Sequence, residues 1–191
     1  MRLTLLNGPA AEPLALDDVK AHLRIDGDDD DALLASLITT SRTHIEVALG
    51  LALMTQTWRW QGDCWPRTGI VELMTRPLQS VERVAVLAAD DTETLVTPAD
   101  YIVEAGGQTA RLVSRSGVWP APGRRIGGIE IEFTAGYGDN PSDVPEPILQ
   151  ALKLLVAHWY EVRNPVHIGQ MATRVPDTVS SLLAPYKVRR L

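Results

Sequence analysis

This chain of 191 residues has one cysteine, Cys64. That excludes an intrachain disulfide framework and a multi-cysteine zinc site, and a reducing compartment is the simple expectation. Long hydrophobic runs are missing too. Residues 3–6 are apolar but are cut off by Asn7, Gly8 and Pro9, well short of a secretory segment, and nothing approaches the roughly 20 apolar residues of a membrane span. Excess positive charge is lacking: the formal net charge is -6. Nonspecific nucleic-acid binding needs Lys and Arg to displace counterions from phosphates, so it is a poor fit as the main task. There is no internal repeat and no low-complexity tract. A Gly-x-Ser-x-Gly elbow is absent, and Gly106–Gly107 and Gly127–Gly128 are not followed by the Lys-Ser/Thr of a P-loop.

What is there is an ordinary folding composition, 45% hydrophobic, at a length suited to one domain spanning 1–191 with a sizeable insertion. The stretch 129–165 organises it. Ile129, Ile131 and Phe133 alternate with Glu130 and Glu132, the period of a strand with one dry face. Gly136 and Gly138 break the strand, and a helix then begins near Val144, with Pro145 and Pro147 in its first turn and Asp143 with Glu146 as a capping box. Ile148, Leu152, Leu155 and Trp159 share one helical face, widened by Leu149, Val156 and Tyr160. That helix is expected to be buried and to stop at Asn164, before Pro165.

The first 50 residues read as helical. Val19, Leu23 and Ile25 give a short helix ended by Gly27. Leu34, Leu37, Ile38, Ile45 and Leu49 give a second, with Gly50 as its C-cap, and the two form a hairpin. From 55 to 134 the helical period gives way to short alternating segments punctuated by Pro and Gly, an antiparallel β insertion in which Trp58 and Trp60 share a face. Residues 115–128 read as an exposed loop. The fold class is therefore α+β, a helical core with a β insertion. Beyond the long helix, residues 166–174 read as a loop, Pro176 opens a short helix bearing Val179, Leu182 and Leu183, and 185–191 form a basic tail.

No catalytic constellation emerges. Asp26, Asp28 and Asp30 alternate as in a calcium loop, but the sixth and twelfth positions are Asp31 and Leu37 where Gly and Glu are required. Carboxylates at the positive end of a helix account for the run. His158 and Glu161 stand one turn apart, the one pair on which a small metal-dependent hydrolase could be built, yet no second pair matches their spacing. His22, His44 and His167 have no metal partners in sequence. Cys64 is expected to be a buried or half-buried thiol. Arg124 and Arg125, with the tail, are the residues a sequence-tolerant DNA-binding module would use. In the tail itself, Tyr186, Lys187, Arg189, Arg190 and Leu191 combine aromatic, basic and apolar side chains as docking hot spots do, and a solubilising fringe explains them equally. No metal, cofactor or catalytic residue is assigned.

Three stretches nevertheless occur together in order: LALDDVKAHLRI (14–25) leading through acidic residues into the helix of 33–53; RPLQSVERVAVL (76–87) with the later Asp100, Tyr101, Ile102 and Val103; and FTAGYG (133–138), VPEPILQALKLLVAHWYEVRN (144–164) and VPDTVSSLLAPY (175–186). In these the chain resembles the head-to-tail connector, or adaptor, proteins of long-tailed bacteriophages, prophages and gene transfer agents. The resemblance implies a structural protein without enzymatic activity, made in the bacterial cytoplasm. It implies a ring of twelve copies in the particle neck, between a portal protein and a stopper or tail-completion protein, around a channel through which DNA passes without specific binding. The tail residues 186–191 are expected to dock on the portal.

Overall fold

The computed structural model describes residues 1–106, 109–162 and 176–188. Two compact units are each assembled from two separated segments, Met1–Ala10 with Gly50–Tyr137 and Ala11–Leu49 with Gly138–Leu191.

The first unit is built on antiparallel sheets. Strands β1 (Arg2–Asn7), β2 (Gln56–Gly62), β4 (Leu78–Leu87), β5 (Glu93–Leu95) and β8 (Ile129–Ala135) form a five-stranded sheet in the order β1-β2-β8-β4-β5. Strands β3 (Ile70–Leu73), β6 (Tyr101–Glu104) and β7 (Ala110–Ser114) form a second sheet in the order β3-β7-β6. The alternation in β8 has the expected result, with Ile129, Ile131, Phe133 and Ala135 buried and the residues between them half-buried. Across the sheet Trp60 faces Ile131, which faces Val84, and these join Val71, Leu73, Leu112 and Tyr101 of the smaller sheet in one core. Full burial of each such side chain stabilises by ~1.5–3 kcal/mol.

The other face of the large sheet carries an ionic ladder. The Arg59 guanidinium donates to Glu132 at 2.7 Å, Gln61 donates to Glu130 at 2.9 Å, and Arg83 donates to Glu130 at 3.1 Å and to Glu93 at 2.9 Å. The bond from Arg83 holds the Glu93 carboxyl below its ordinary range. Half-exposed pairs of this kind are worth ~0.2–1 kcal/mol each, so the ladder fixes strand register more than it stabilises.

β1 departs from the helical reading of the first 50 residues. Its side chains alternate for only four positions, and its partner β2 lies some 50 residues further on, with Leu3 opposite Trp60 and Leu5 opposite Trp58. No local turn announces such a pairing. Gly136 ends β8 with φ +139, its N–H donating to the Pro77 carbonyl at 2.9 Å.

The second unit contains α1 (Leu16–Leu23), α2 (Asp31–Leu49), α3 (Glu146–Glu161) and α4 (Asp177–Leu183). α1 ends earlier than expected, on Arg24 in the left-handed region, leaving Ile25 outside the helix. α2 buries Leu34, Ile38, Ser41, Ile45 and Leu49, and α3 buries Ile148, Ala151, Leu152, Leu155 and Val156. These faces pack together, and α4 adds Val179 and Leu183 against α3. Arg42 ties the N-terminal approach to α2, donating to Glu12 and to Glu46, each at 2.7 Å.

The capping box lies one turn earlier than the sequence suggested. Asn140 and Asp143 close a short 3-10 turn, Pro141–Asp143, and α3 follows from Pro145 without a side-chain cap. α3 stops at Glu161; Asn164, Pro165, His167 and the loop 166–174 lie outside the described residues, as does Gly107.

Candidate assembly surfaces

The residues singled out for chemistry in the sequence are dispersed. His158 is half-buried and Glu161 exposed near the C-terminal end of α3, and among the described residues no three His, Cys, Asp or Glu side chains gather closely enough to hold a metal ion. The acidic run is engaged internally: Lys20 Nζ lies 2.8 Å from both Asp28 and Asp31, and the Tyr160 hydroxyl donates to Asp30. The hydrogen bond from Lys20 lowers the Asp28 carboxyl below its ordinary range. Cys64 is exposed, not buried, because β2 ends at Gly62 and Asp63 then turns outward to accept the Gly127 N–H at 2.7 Å. His44 meets the Trp159 ring edge-on at 5.7 Å between centroids.

The arginine loop is pinned. The backbone N–H groups of Gly123 and Arg124 both donate to the Leu87 carbonyl, at 2.9 and 3.0 Å, and the Arg124 guanidinium lies 3.5 Å from Asp91. Within the same loop Trp119 is buried, stacked on Trp65 at 4.3 Å and donating to the Gly69 carbonyl at 2.8 Å. The sequence signalled only Gly, Pro and Arg there. In the tail, Tyr186 closes a 3-10 turn, Ala184–Tyr186, and is half-buried, while Lys187 and Val188 are exposed. Arg189, Arg190 and Leu191 lie outside the described residues.

The surfaces that stand out carry little charge. At the free edge of the large sheet, Met1, Leu3, Leu5 and Leu6 are exposed, Leu5 by 45%. Beside the edge strand β5, a hollow of about 380 Å³ is bordered by Leu95, Val118 and Arg115. Along α2, ten positions are exposed, and none is Asp, Glu, Lys or Arg. Its ionised side chains, Asp31, Arg42 and Glu46, are all half-buried. The Thr40 hydroxyl donates to the Ser36 carbonyl at 2.8 Å and that of Thr43 to the Thr39 carbonyl at 2.9 Å. Both hydroxyls thus meet a partner inside their own helix. Thr39, Thr43, His44 and Val47 border a shallow groove of about 500 Å³ on this face, where Val47 is 80% exposed. The signal is legible in the sequence as a long helix nearly free of charge, though which side of it stays uncovered is not.

Surfaces without a reactive cluster suit assembly. Residues 14–105 match the family model described as phage gp6-like head-tail connector protein. The chain is similar over 100% of its length to a protein in a structure titled "Neck of empty GTA particle computed with C6 symmetry", with 26% identity, a TM-score of 0.85 and 97% of that chain covered. It is similar in the same way to a chain of the "Virion of native gene transfer agent (GTA) particle", with 27% identity, a TM-score of 0.83, and 100% and 97% of the two chains covered. A third, "Neck of native GTA particle computed with C12 symmetry", gives 26% identity and a TM-score of 0.77 over 98% of this chain and 97% of that one. No curated protein sequence matches.

Proposed function

From the match of residues 14–105 to the phage gp6-like head-tail connector model, we propose that this chain is a member of that family and works as one. It is a structural head-tail connector subunit of a phage-like particle neck and has no enzymatic role. The observation that carries this is the end-to-end similarity to a neck protein, at a TM-score of 0.85 with 97% of that chain covered. Copies assemble as a ring in the neck. In the finer reading the ring has twelve members and sits with a portal protein on one side and a stopper or tail-completion protein on the other. Residues 1–191 act in it as one connector domain, 55–134 being its β-rich insertion and 185–191 its tail.

A closed ring needs heterologous contacts, one face of each copy meeting a different face of the next. The channel so formed is a conduit: a chain of net charge -6 repels the DNA backbone and lets it slide. The hydrolase alternative on His158 and Glu161 gains no third ligand among the described residues, and a DNA-binding role for Arg124 is weakened by its ion pair with Asp91.

The tail residues Tyr186, Lys187, Arg189, Arg190 and Leu191 act as a tether that orders on docking to the portal. Electron microscopy of particles lacking this protein is expected to show filled heads without attached tails, and normally joined particles would overturn the connector role. Deleting residues 186–191 should leave the circular dichroism spectrum unchanged but abolish co-sedimentation with portal-bearing heads. Undiminished co-sedimentation would refute the tether.

A further inference from the structure

We propose that the uncharged face of α2 is the surface by which one copy of this chain meets the next in the ring, an inference that rests on the connector reading above. Several independent features converge on that face. Ten exposed positions without Asp, Glu, Lys or Arg are unexpected on a chain with 22% charged residues, because a solvated helix face ordinarily carries the charge.

Desolvation is also undemanding there. Thr40 and Thr43 already donate to carbonyls of their own helix, so covering them strands no hydroxyl donor. Ala32, Ala35 and Ala48, exposed along the same side, allow another backbone to approach closely. The groove beside Val47 gives a second surface something to fill.

Electrostatics selects the occupant. Each copy carries a net charge of -6, and like charges placed across an interface cost several kcal/mol, a cost that a contact made through exposed positions without Asp, Glu, Lys or Arg avoids. DNA is a poor occupant, since the face offers no cation to a phosphate. A neutral surface of another copy is the complement, and the symmetric necks to which this chain is similar hold the matched fold in repeated positions. Since the contact in a ring is heterologous, the α2 face meets a different face of its neighbour.

The test is photo-crosslinking in assembled particles. A benzophenone amino acid replaces Val47 in one variant and Thr40 in another, with Asp90, in an exposed turn of the other unit, as the control position. Irradiation of purified particles is expected to give a product of twice the chain mass from positions 47 and 40 and not from 90. Crosslinking of 47 and 40 to a different neck protein, or no product although the variant chains are present, overturns the proposal while leaving the connector role standing. Absence of the unmodified chain from purified necks overturns the connector role itself, and the proposal with it. Thr40→Arg, which places a cation on the same face, should lower incorporation at least about tenfold, equivalent to a change of ~1.4 kcal/mol, while the far-ultraviolet spectrum stays unchanged. Normal incorporation of the arginine variant would likewise overturn the assignment.

Discussion

Replacing Gly136 by alanine separates two effects that usually arrive together, backbone strain and collision. Gly136 has φ +139, a region nearly closed to side chains, and forcing alanine into it costs ~1–3 kcal/mol. A Cβ there would also lie 2.4 Å from the Met54 carbonyl oxygen and 2.7 Å from the Thr55 nitrogen. Both are backbone atoms of the segment entering β2, where the Tyr137 N–H donates to the Leu53 carbonyl, so no side-chain rotation relieves the contact. Overpacking of this kind adds ~1–3 kcal/mol, for a total of about 2–6 kcal/mol, against the 5–15 kcal/mol typical of a domain. Gly117 in the same unit is the control. Its φ is +77 and nothing lies within 4 Å of its would-be Cβ, so Gly117→Ala carries only the left-handed term, ~1–2 kcal/mol. Urea unfolding followed by tryptophan fluorescence reports chiefly on this unit, which contains four of the five tryptophans, Trp58, Trp60, Trp65 and Trp119. The Gly136→Ala midpoint should fall by at least about 0.7 M, given slopes of ~1–3 kcal/mol/M, and clearly further than that of Gly117→Ala. Equal shifts would show that the strand end relaxes freely and that the collision argument is wrong.

Arg42→Ala should destabilise the helical unit by ~1–3 kcal/mol, because it removes the guanidinium from which the Glu12 and Glu46 carboxylates both accept; a loss under about 0.5 kcal/mol in urea unfolding followed by helical circular dichroism at about 222 nm would refute it. Acid should destabilise the protein. Asp28, Asp90 and Glu93 all titrate below their ordinary values, owing respectively to Lys20, to the Thr92 backbone N–H and to Arg83. Groups lowered in the folded state contribute stability that is fully present above the unfolded values, 3.8, 3.8 and 4.5, and is lost as pH falls through the folded ones. The urea midpoint should therefore hold between pH 7 and about pH 5 and drop below about pH 4, less steeply in Asp28→Asn; a midpoint unchanged at pH 3 would contradict this.

Much of the architecture could be read before any coordinates because it is written in local periods. The strand of Ile131 and Phe133 and the helices of Ile38 and Leu152 declare themselves every second or every third and fourth residue. What escaped has non-local causes. β1 becomes a strand only because Trp58 and Trp60 arrive much later to pair with it. Cys64 sits between tryptophans, which suggests burial, but the turn at Asp63 carries it into solvent. Trp119, hidden in a stretch of loop composition, is fixed by Trp65 and Gly69, both some 50 residues away. The neutral face of α2 was visible as a scarcity of charge, yet only the packing of Leu34, Ile45 and Leu49 inward shows which side remains uncovered.

Because each compact unit is stitched from two separated stretches, neither is complete until synthesis is well advanced. β8 occupies the middle of the large sheet, between β2 and β4, and is its last strand to be made, while the helical unit waits still longer for α3 and α4. A ribosome that quits early therefore releases a polypeptide with neither unit closed, and such a fragment has no finished surface with which to claim a place in a growing ring. Chain order alone therefore makes completion of the fold a late event, and a polypeptide cut before residue 129 is expected to be recognisable by its sensitivity to protease.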